Sequence, residues 1–161
     1  MLSDDEISGL INEEKVLPKN FRESLKLKKK SDLAQKECDI SAKSKNHAYI
    51  ITVRANIIDI FDFSIILVYI DEITKRRHII RRYNGKHYHF NILEKTAIDG
   101  YHIHTATERY QKLLNRIEGY AESTNLYNNW NSAFAQMIFD CNFKAEDEFI
   151  IVPEIPIIQH A

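Results

Sequence analysis

The run Phe61-Asp62-Phe63-Ser64-Ile65-Ile66-Leu67-Val68-Tyr69-Ile70 is the most apolar in the chain, and its reading decides the fold. Phe63, Ile65, Leu67 and Tyr69 alternate with Ile66, Val68 and Ile70, so both faces are apolar. That pattern predicts a central strand buried on both sides. At ten residues it is far too short to span a bilayer as a helix. Strands flank it on either side. Lys36 to Ala42 alternates, with Cys38, Ile40 and Ala42 on one side, and Ala48 to Ala55 is rich in β-branched and aromatic residues. His78 to Tyr83 reads as a further strand. Asn84-Gly85 then signals a tight hairpin turn, with Lys86 to Phe90 returning antiparallel. Asp99-Gly100 signals a second turn before Tyr101 to His104.

Helical periodicity brackets this β-rich block. Ser3-Asp4-Asp5-Glu6 is a capping box, and Ile7, Leu10 and Ile11 predict a short helix to about Glu14. Thr105-Ala106-Thr107-Glu108 is a second capping box, with Tyr110, Leu113, Leu114 and Ile117 behind it and Gly119 at its end. Trp130, Ala133, Phe134, Met137, Ile138 and Cys141 follow the spacing of one helical face. A block of strands followed by helices implies an α+β fold. The expectation is a single domain: a twisted antiparallel sheet of about five strands, two C-terminal helices (107–117 and 129–141) packed on one face, and a short N-terminal helix. The organisation expected is an N-terminal helix and basic connector over 1–31, the α+β core over 32–144, and an apolar tail over 145–161.

The chain has 161 residues, which suits one domain. Its formal net charge of −1 makes no general case for nucleic acid, but the charges are segregated. Lys15 to Arg116 holds 21 Lys/Arg against 11 Asp/Glu, while both ends are acidic. Between Lys75 and Leu93 there are six Lys/Arg and three His with no acid, a local signature of anion binding. Two cysteines, Cys38 and Cys141, form no framework, which excludes a zinc ribbon or disulfide scaffold. With an acidic start and no apolar leader, the expectation is a reduced, cytoplasmic protein with buried thiols and no membrane partner.

Asn84-Gly85-Lys86-His87-Tyr88-His89 is echoed by Asp99-Gly100-Tyr101-His102-Ile103-His104. On a strand each His pair projects to one face, so four imidazoles converge if the two segments are neighbours. Three chemistries are open. The cluster can be structural, satisfying backbone groups at a turn. It can hold a metal, although no carboxylate sits at a familiar spacing. Or it can carry acid–base chemistry on RNA, with His87, His89, His102 and His104 as acid and base. In that last case Arg81, Arg82, Lys86 and Arg109 would hold phosphate, and Tyr83, Tyr88 and Tyr101 would stack on unpaired bases. The site taken forward carries no metal and no cofactor.

The segments Arg82-Tyr83-Asn84-Gly85-Lys86-His87-Tyr88-His89-Phe90-Asn91 and Asp99-Gly100-Tyr101-His102-Ile103-His104-Thr105-Ala106-Thr107-Glu108-Arg109-Tyr110 resemble a bacterial and phage family known only as a domain of unknown function. Glu118-Gly119-Tyr120-Ala121 and Asp140-Cys141-Asn142 fit the same pattern, so the resemblance covers about residues 36–143. More distantly, Arg82, Tyr83, Asn84, His87, His89, His102 and His104 are similar to the motif of TumE-like toxins of toxin–antitoxin modules. Lys86 and Tyr101 stand where that motif has Pro. The resemblance implies a nucleic-acid-linked defence or toxin–antitoxin protein, in its sharp form a metal-independent endoribonuclease that acts on RNA or is held by an antitoxin. The alternative it implies is a non-catalytic, homodimeric accessory protein that docks on a larger nuclease or an RNA-guided, CRISPR-type nucleoprotein complex. The tail residues Ile150, Ile151, Val152, Ile155 and Ile157 are the expected partner-docking segment, lying either in a groove of their own fold or in a partner's.

Overall fold

A computed structural model of the chain describes residues 1–25, 28–29, 34–114 and 116–145. The tail residues expected to dock a partner, Ile150, Ile151, Val152, Ile155 and Ile157, lie outside the described residues. The chain runs α1 (Asp4–Asn12), β1 (Lys15–Leu17), α2 (Phe21–Ser24), β2 (Lys28–Lys29), β3 (Gln35–Lys43), β4 (Ala48–Asn56), β5 (Phe63–Ile70), β6 (Arg77–Asn91), β7 (Thr96–Thr105), α3 (Glu108–Leu114), β8 (Tyr120–Ser123), α4 (Trp130–Asp140) and β9 (Phe143–Ala145).

The fold is α+β, but it is not a five-stranded sheet with two C-terminal helices. Eight strands form one strongly curled half-barrel in the order β8-β7-β6-β5-β4-β3-β1-β9, with the two-residue β2 beside β3. The sheet is mixed, because β9 pairs parallel with β1, and the helices among the described residues number four. The added strands are short. β1, β8 and β9 have only three or four residues each, too few for an alternation that can be read from sequence.

β5 is central, as its composition requires. Phe63, Ile65 and Leu67 join Ile40, Ile51, Val53 and Tyr83 in the main core, under α1 and the Trp130, Ala133, Phe134, Met137 and Ile138 face of α4. Ile66 and Val68 are buried on the opposite face. Cys141 is buried, and Cys38 only half-buried. The helix expected over 107–117 is the shorter α3, and it does not share the α4 face. Its Tyr110 packs on Tyr120, and its N-terminus meets α1 through a bond from Glu108 N to Asp4 Oδ1 of 2.8 Å. The cap is Thr107, whose hydroxyl accepts from Tyr110 N, while Thr105 still belongs to β7.

Lys15 ties the helix ends to the sheet. Its ammonium is fully buried and donates to Ile11 O, Glu13 O and Cys141 O at 2.8, 2.9 and 3.0 Å. Two of these carbonyls lie at or just past the end of α1 and one caps α4, so the cation meets the negative ends of both helices. Burial pushes it down to about 8. Three charge-assisted hydrogen bonds and the faces of Tyr49 and Phe143 hold it in place.

The largest departure from sequence expectation concerns the two Gly-containing turns. Neither is a turn. β6 runs unbroken through Asn84-Gly85, and β7 through Asp99-Gly100. The register passes from Asn84↔His102 to His87↔Gly100, so Gly85 and Lys86 together face Tyr101 alone. This is a β-bulge, with one extra residue in β6. Gly85 is there for space rather than for a hairpin. A Cβ on it would stand 1.8 Å from the carbonyl oxygen of Phe61, which accepts from Lys86 N at 2.8 Å. Gly100, across from His87, has φ +122°, a backbone conformation L side chains rarely adopt. The chain reverses later, between Asn91 and Thr96.

Three substitutions test these constraints by thermal melting. Gly85→Ala is expected to cost about 2–3 kcal/mol, because only backbone can yield. Gly9→Ala, with open space in α1, should add about 0.5–1 kcal/mol. Lys15→Met strips three buried carbonyls of their donor, and a loss of about 3 kcal/mol is expected. A neutral Lys15→Met would show that the ammonium does not hold the helix ends.

The histidine cluster as candidate functional site

The bulge decides which side chains meet. In an unbroken strand His87 and His89 would share a face with Tyr83, toward the core. The extra residue reverses that parity. His87 and His89 now share a face with Arg82 and Asn84, and, through the pairing, with His102 and His104 of β7. The four imidazoles do converge. Ring centroids are 5.0 Å apart for His87–His102, 5.6 Å for His89–His102, 4.5 Å for His89–His104 and 5.0 Å for His102–His104.

The β6–β7 hairpin beyond the bulge forms an arm that folds back over this face. Asn91 is in register with Thr96, eight residues along β7 from His104, a distance of about 26 Å in a straight ribbon. Yet its carboxamide accepts from Ala121 N at 2.9 Å and donates to Ala121 O at 2.8 Å, and Ala121 is the β8 partner of His104. The arm tip also docks on α3. Leu93 N donates to the Tyr110 hydroxyl at 3.3 Å, that hydroxyl donates to Glu94, and Glu94 pairs with Arg109.

Under the arm each ring nitrogen that has a partner defines a tautomer. The Ser64 hydroxyl donates to Asn84 Oδ1 at 2.7 Å, which turns the Asn84 amide nitrogen toward His102 Nε2 at 3.2 Å. His102 is therefore the Nδ1–H tautomer, donating to Gly100 O at 2.8 Å. His104 Nδ1 donates to Glu118 O at 2.8 Å. His89 Nε2 donates between Gly119 O and Asn91 Oδ1, both at 3.0 Å. The Tyr127 hydroxyl lies 2.9 Å from both carbonyls of the Asn84–His102 pair at the bulge.

The inner and outer histidines differ in charge behaviour. His102 and His104 are buried, and desolvation pulls them down to about 4 and about 2, aided by the neighbouring imidazoles and Arg82. His87 is exposed; desolvation lowers it too, against the pull of Asp62. Arg82 lies beside the cluster, 3.2 Å from the buried Glu118 carboxylate, which Arg116 also engages.

Of the expected phosphate- or nucleic-acid-binding residues, Arg82 lies beside the cluster and Arg81, Tyr83, Lys86 and Arg109 do not. Arg81 points to the other face, 3.9 Å from Asp140 and over the Tyr83 ring. Tyr83 is fully buried and donates to Asp140 at 2.8 Å, so it stacks on no base. Lys86 lies over Phe61 and Tyr101 on the opposite side of the arm. Arg109 is paired with Glu94 and covers Tyr120. Sequence reasoning missed Asn84 as an orienting group, quoted Asn91 and Glu118 only within the family resemblance and gave them no place in the site, and missed Ser64 and Tyr127 altogether. Only the fold brings these residues beside the histidines, and no spacing along the chain signals it. Among the described residues no group of three or more His, Cys, Asp or Glu is arranged to hold a metal ion, and no helix is long and apolar enough to cross a membrane. Comparison with family models, with curated proteins and with solved structures finds no match.

A buried neutral imidazole makes the arm acid-labile. The unfolded chain takes up protons on these two histidines once the pH falls below about 6.5, whereas the folded chain does not. Their contribution is complete above about 6.5 and is lost as pH falls, down to about 4 for His102 and about 2 for His104. At ~1.4 kcal/mol per pH unit, His102 alone accounts for on the order of 3 kcal/mol by pH 4. The urea midpoint should therefore fall steeply from pH 7 to pH 5, and less steeply in His102→Gln. A midpoint that stays level over that range would contradict the burial of these rings as neutral groups.

Proposed function

We propose that this chain is a non-catalytic accessory protein of a nucleic-acid-linked bacterial defence or toxin–antitoxin system, a homodimer that docks on a larger nuclease or RNA-guided nucleoprotein complex. The observation that carries this reading is the state of the inner histidines. General acid–base catalysis needs a group that changes protonation near neutral pH and has a free nitrogen for the substrate. His102 has both nitrogens engaged, and His104 is buried and neutral. The cation nearest them, Arg82, is tied to Glu118. What remains is a polar packing unit that fixes the arm. The resemblance to the uncharacterised bacterial and phage family supplies the biological setting of the reading.

The free cations lie elsewhere. Lys75, Arg76 and Arg77 are exposed together at the turn between β5 and β6, at the start of the acid-free stretch. They are the groups expected to meet phosphate, and such contacts weaken steeply with salt. Reversing all three to Glu should abolish co-purification with a native nucleoprotein partner at moderate salt while leaving the melting temperature within about 2 °C.

A second reading keeps the chain as a metal-independent endoribonuclease through its outer pair. His87 is exposed beside His102, and Arg82 Nε has no partner among the described residues. One assay separates the two. Labelled RNA incubated with chelator should show the same turnover with wild type, with His87→Ala and with buffer. Cleavage by wild type that drops about 100-fold or more in His87→Ala would replace the accessory reading with the enzyme.

A further inference from the structure

The side of the arm away from the histidines is the least satisfied surface described. Tyr88 and Phe90 stand on it, 67% and 43% exposed. The β4–β5 loop adjoins it and presents Ile58, Ile60 and Phe61, at 82%, 54% and 41%. Lys86 joins the two segments, its amide bound to Phe61 O and its ammonium 4.6 Å from the Phe61 ring. Together with Ile92 at the tip, these side chains expose on the order of 600 Å² of apolar surface, most of the ~800 Å² per partner that a standard interface buries. A monomer seldom leaves so much uncovered in one place.

The backbone there is also unpaired. β5 pairs with β6 only as far as Asn84, so beyond the bulge that side of β6 has no neighbouring strand among the described residues. Lys86 N points to this side, toward Phe61. By alternation Tyr88 and Phe90 turn their N–H and C=O the same way, into the open edge.

We infer that a second copy of this chain docks here, its arm pairing antiparallel with this one about a two-fold axis near Tyr88. That register sets Tyr88 against its counterpart and brings the Lys86 side chain beside Phe90 of the other copy, while the Lys86 amide stays on Phe61 O. The lysine would thereby repeat the cation–aromatic contact it already makes with Phe61 and Tyr101. The stretch Lys86–Phe90 contains no acid and one lysine, so no lysine faces a lysine in that pairing. An isologous contact of this kind closes at two copies. The inference gives the homodimer of the accessory reading its interface.

Light scattering on the full chain tests it, with amide hydrogen exchange as a second readout. Wild type should elute at twice the chain mass, with the Tyr88 and Phe90 amides protected. Tyr88→Asp, and independently Ile58→Asp in the loop, should raise the dimer dissociation constant at least tenfold, with unchanged circular dichroism and loss of that protection. His87→Ala, on the other side of the arm, should leave the mass unchanged whatever it does in the RNA assay, so the two readings fail separately. A wild-type monomer at high micromolar concentration overturns the inference and assigns the face to a foreign partner. A dimer that survives both Asp substitutions overturns it as well.

Discussion

One inserted residue governs this molecule. The Gly85–Lys86 bulge, held by the Phe61 carbonyl at the point where a Cβ has no room, shifts every later residue of β6 to the other face of the sheet. Because side chains alternate with period two, the shift reverses the assignment of a whole segment. His87 and His89 leave the apolar side and join His102 and His104, while Lys86, Tyr88 and Phe90 turn to the opposite side. The same irregularity lets the ribbon bend until Asn91 reaches Ala121. The histidine cluster, the docked arm and the exposed aromatic face are three consequences of one backbone event.

The space beneath the arm is filled with imidazoles where a hydrophobic cluster would be ordinary. Such a core is stable only when its polar atoms are satisfied, since an unpaired buried donor or acceptor costs about 1–3 kcal/mol. The chain meets that condition with neutral rings. Histidine can carry one donor and one acceptor without charge, and Asn84 and Asn91 supply the complementary groups. Asn91 does more than this. Its carboxamide completes both backbone groups of Ala121 on the edge strand β8, as a neighbouring strand would. At His102 the arrangement trades proton chemistry for geometry, because its two hydrogen bonds occupy both ring nitrogens.

Long periodic elements were legible and the sheet's edges were not. The apolar run of β5, the alternation of β3 and β4 and the face of α4 each extend over enough residues to define a period, and each occurs where its pattern places it. The Ser3 capping box is present in α1. By contrast, Asn84-Gly85 carries the usual signal of a two-residue hairpin, yet the glycine answers to a carbonyl in the β4–β5 loop, more than twenty residues upstream. Local turn chemistry cannot register a steric demand made by a distant segment. Period two put each pair of the His-x-His echo on one face of its strand, but the two pairs share a face only through the Gly85–Lys86 bulge, which the echo does not signal. It could not say which rings would be buried. That depends on Asn91 and Glu118, which the arm's return brings in from outside the motif.

The segregated charge along the chain is partly undone in space. Arg82 and Arg116 share Glu118, and Arg81 approaches Asp140, so cations of the basic middle are paired with acids of the C-terminal third. These pairs consume the arginines that sequence alone would assign to phosphate. The turn between β5 and β6 is cancelled less fully, with Lys75, Arg76 and Arg77 against Asp71 and Glu72. Asp71 spends its carboxylate on the amides of Ile73 and Thr74, which shapes the turn and leaves Lys75, Arg76 and Arg77 facing outward. The sheet thus separates two surfaces at opposite ends of one strand. β6 begins beside the exposed Lys75, Arg76 and Arg77 and ends in an apolar arm with an open edge. On the proposed reading the strand joins an anion-facing end to a self-pairing end, which suits a protein that brings two copies of itself to a charged partner better than one that holds a small substrate in a cleft.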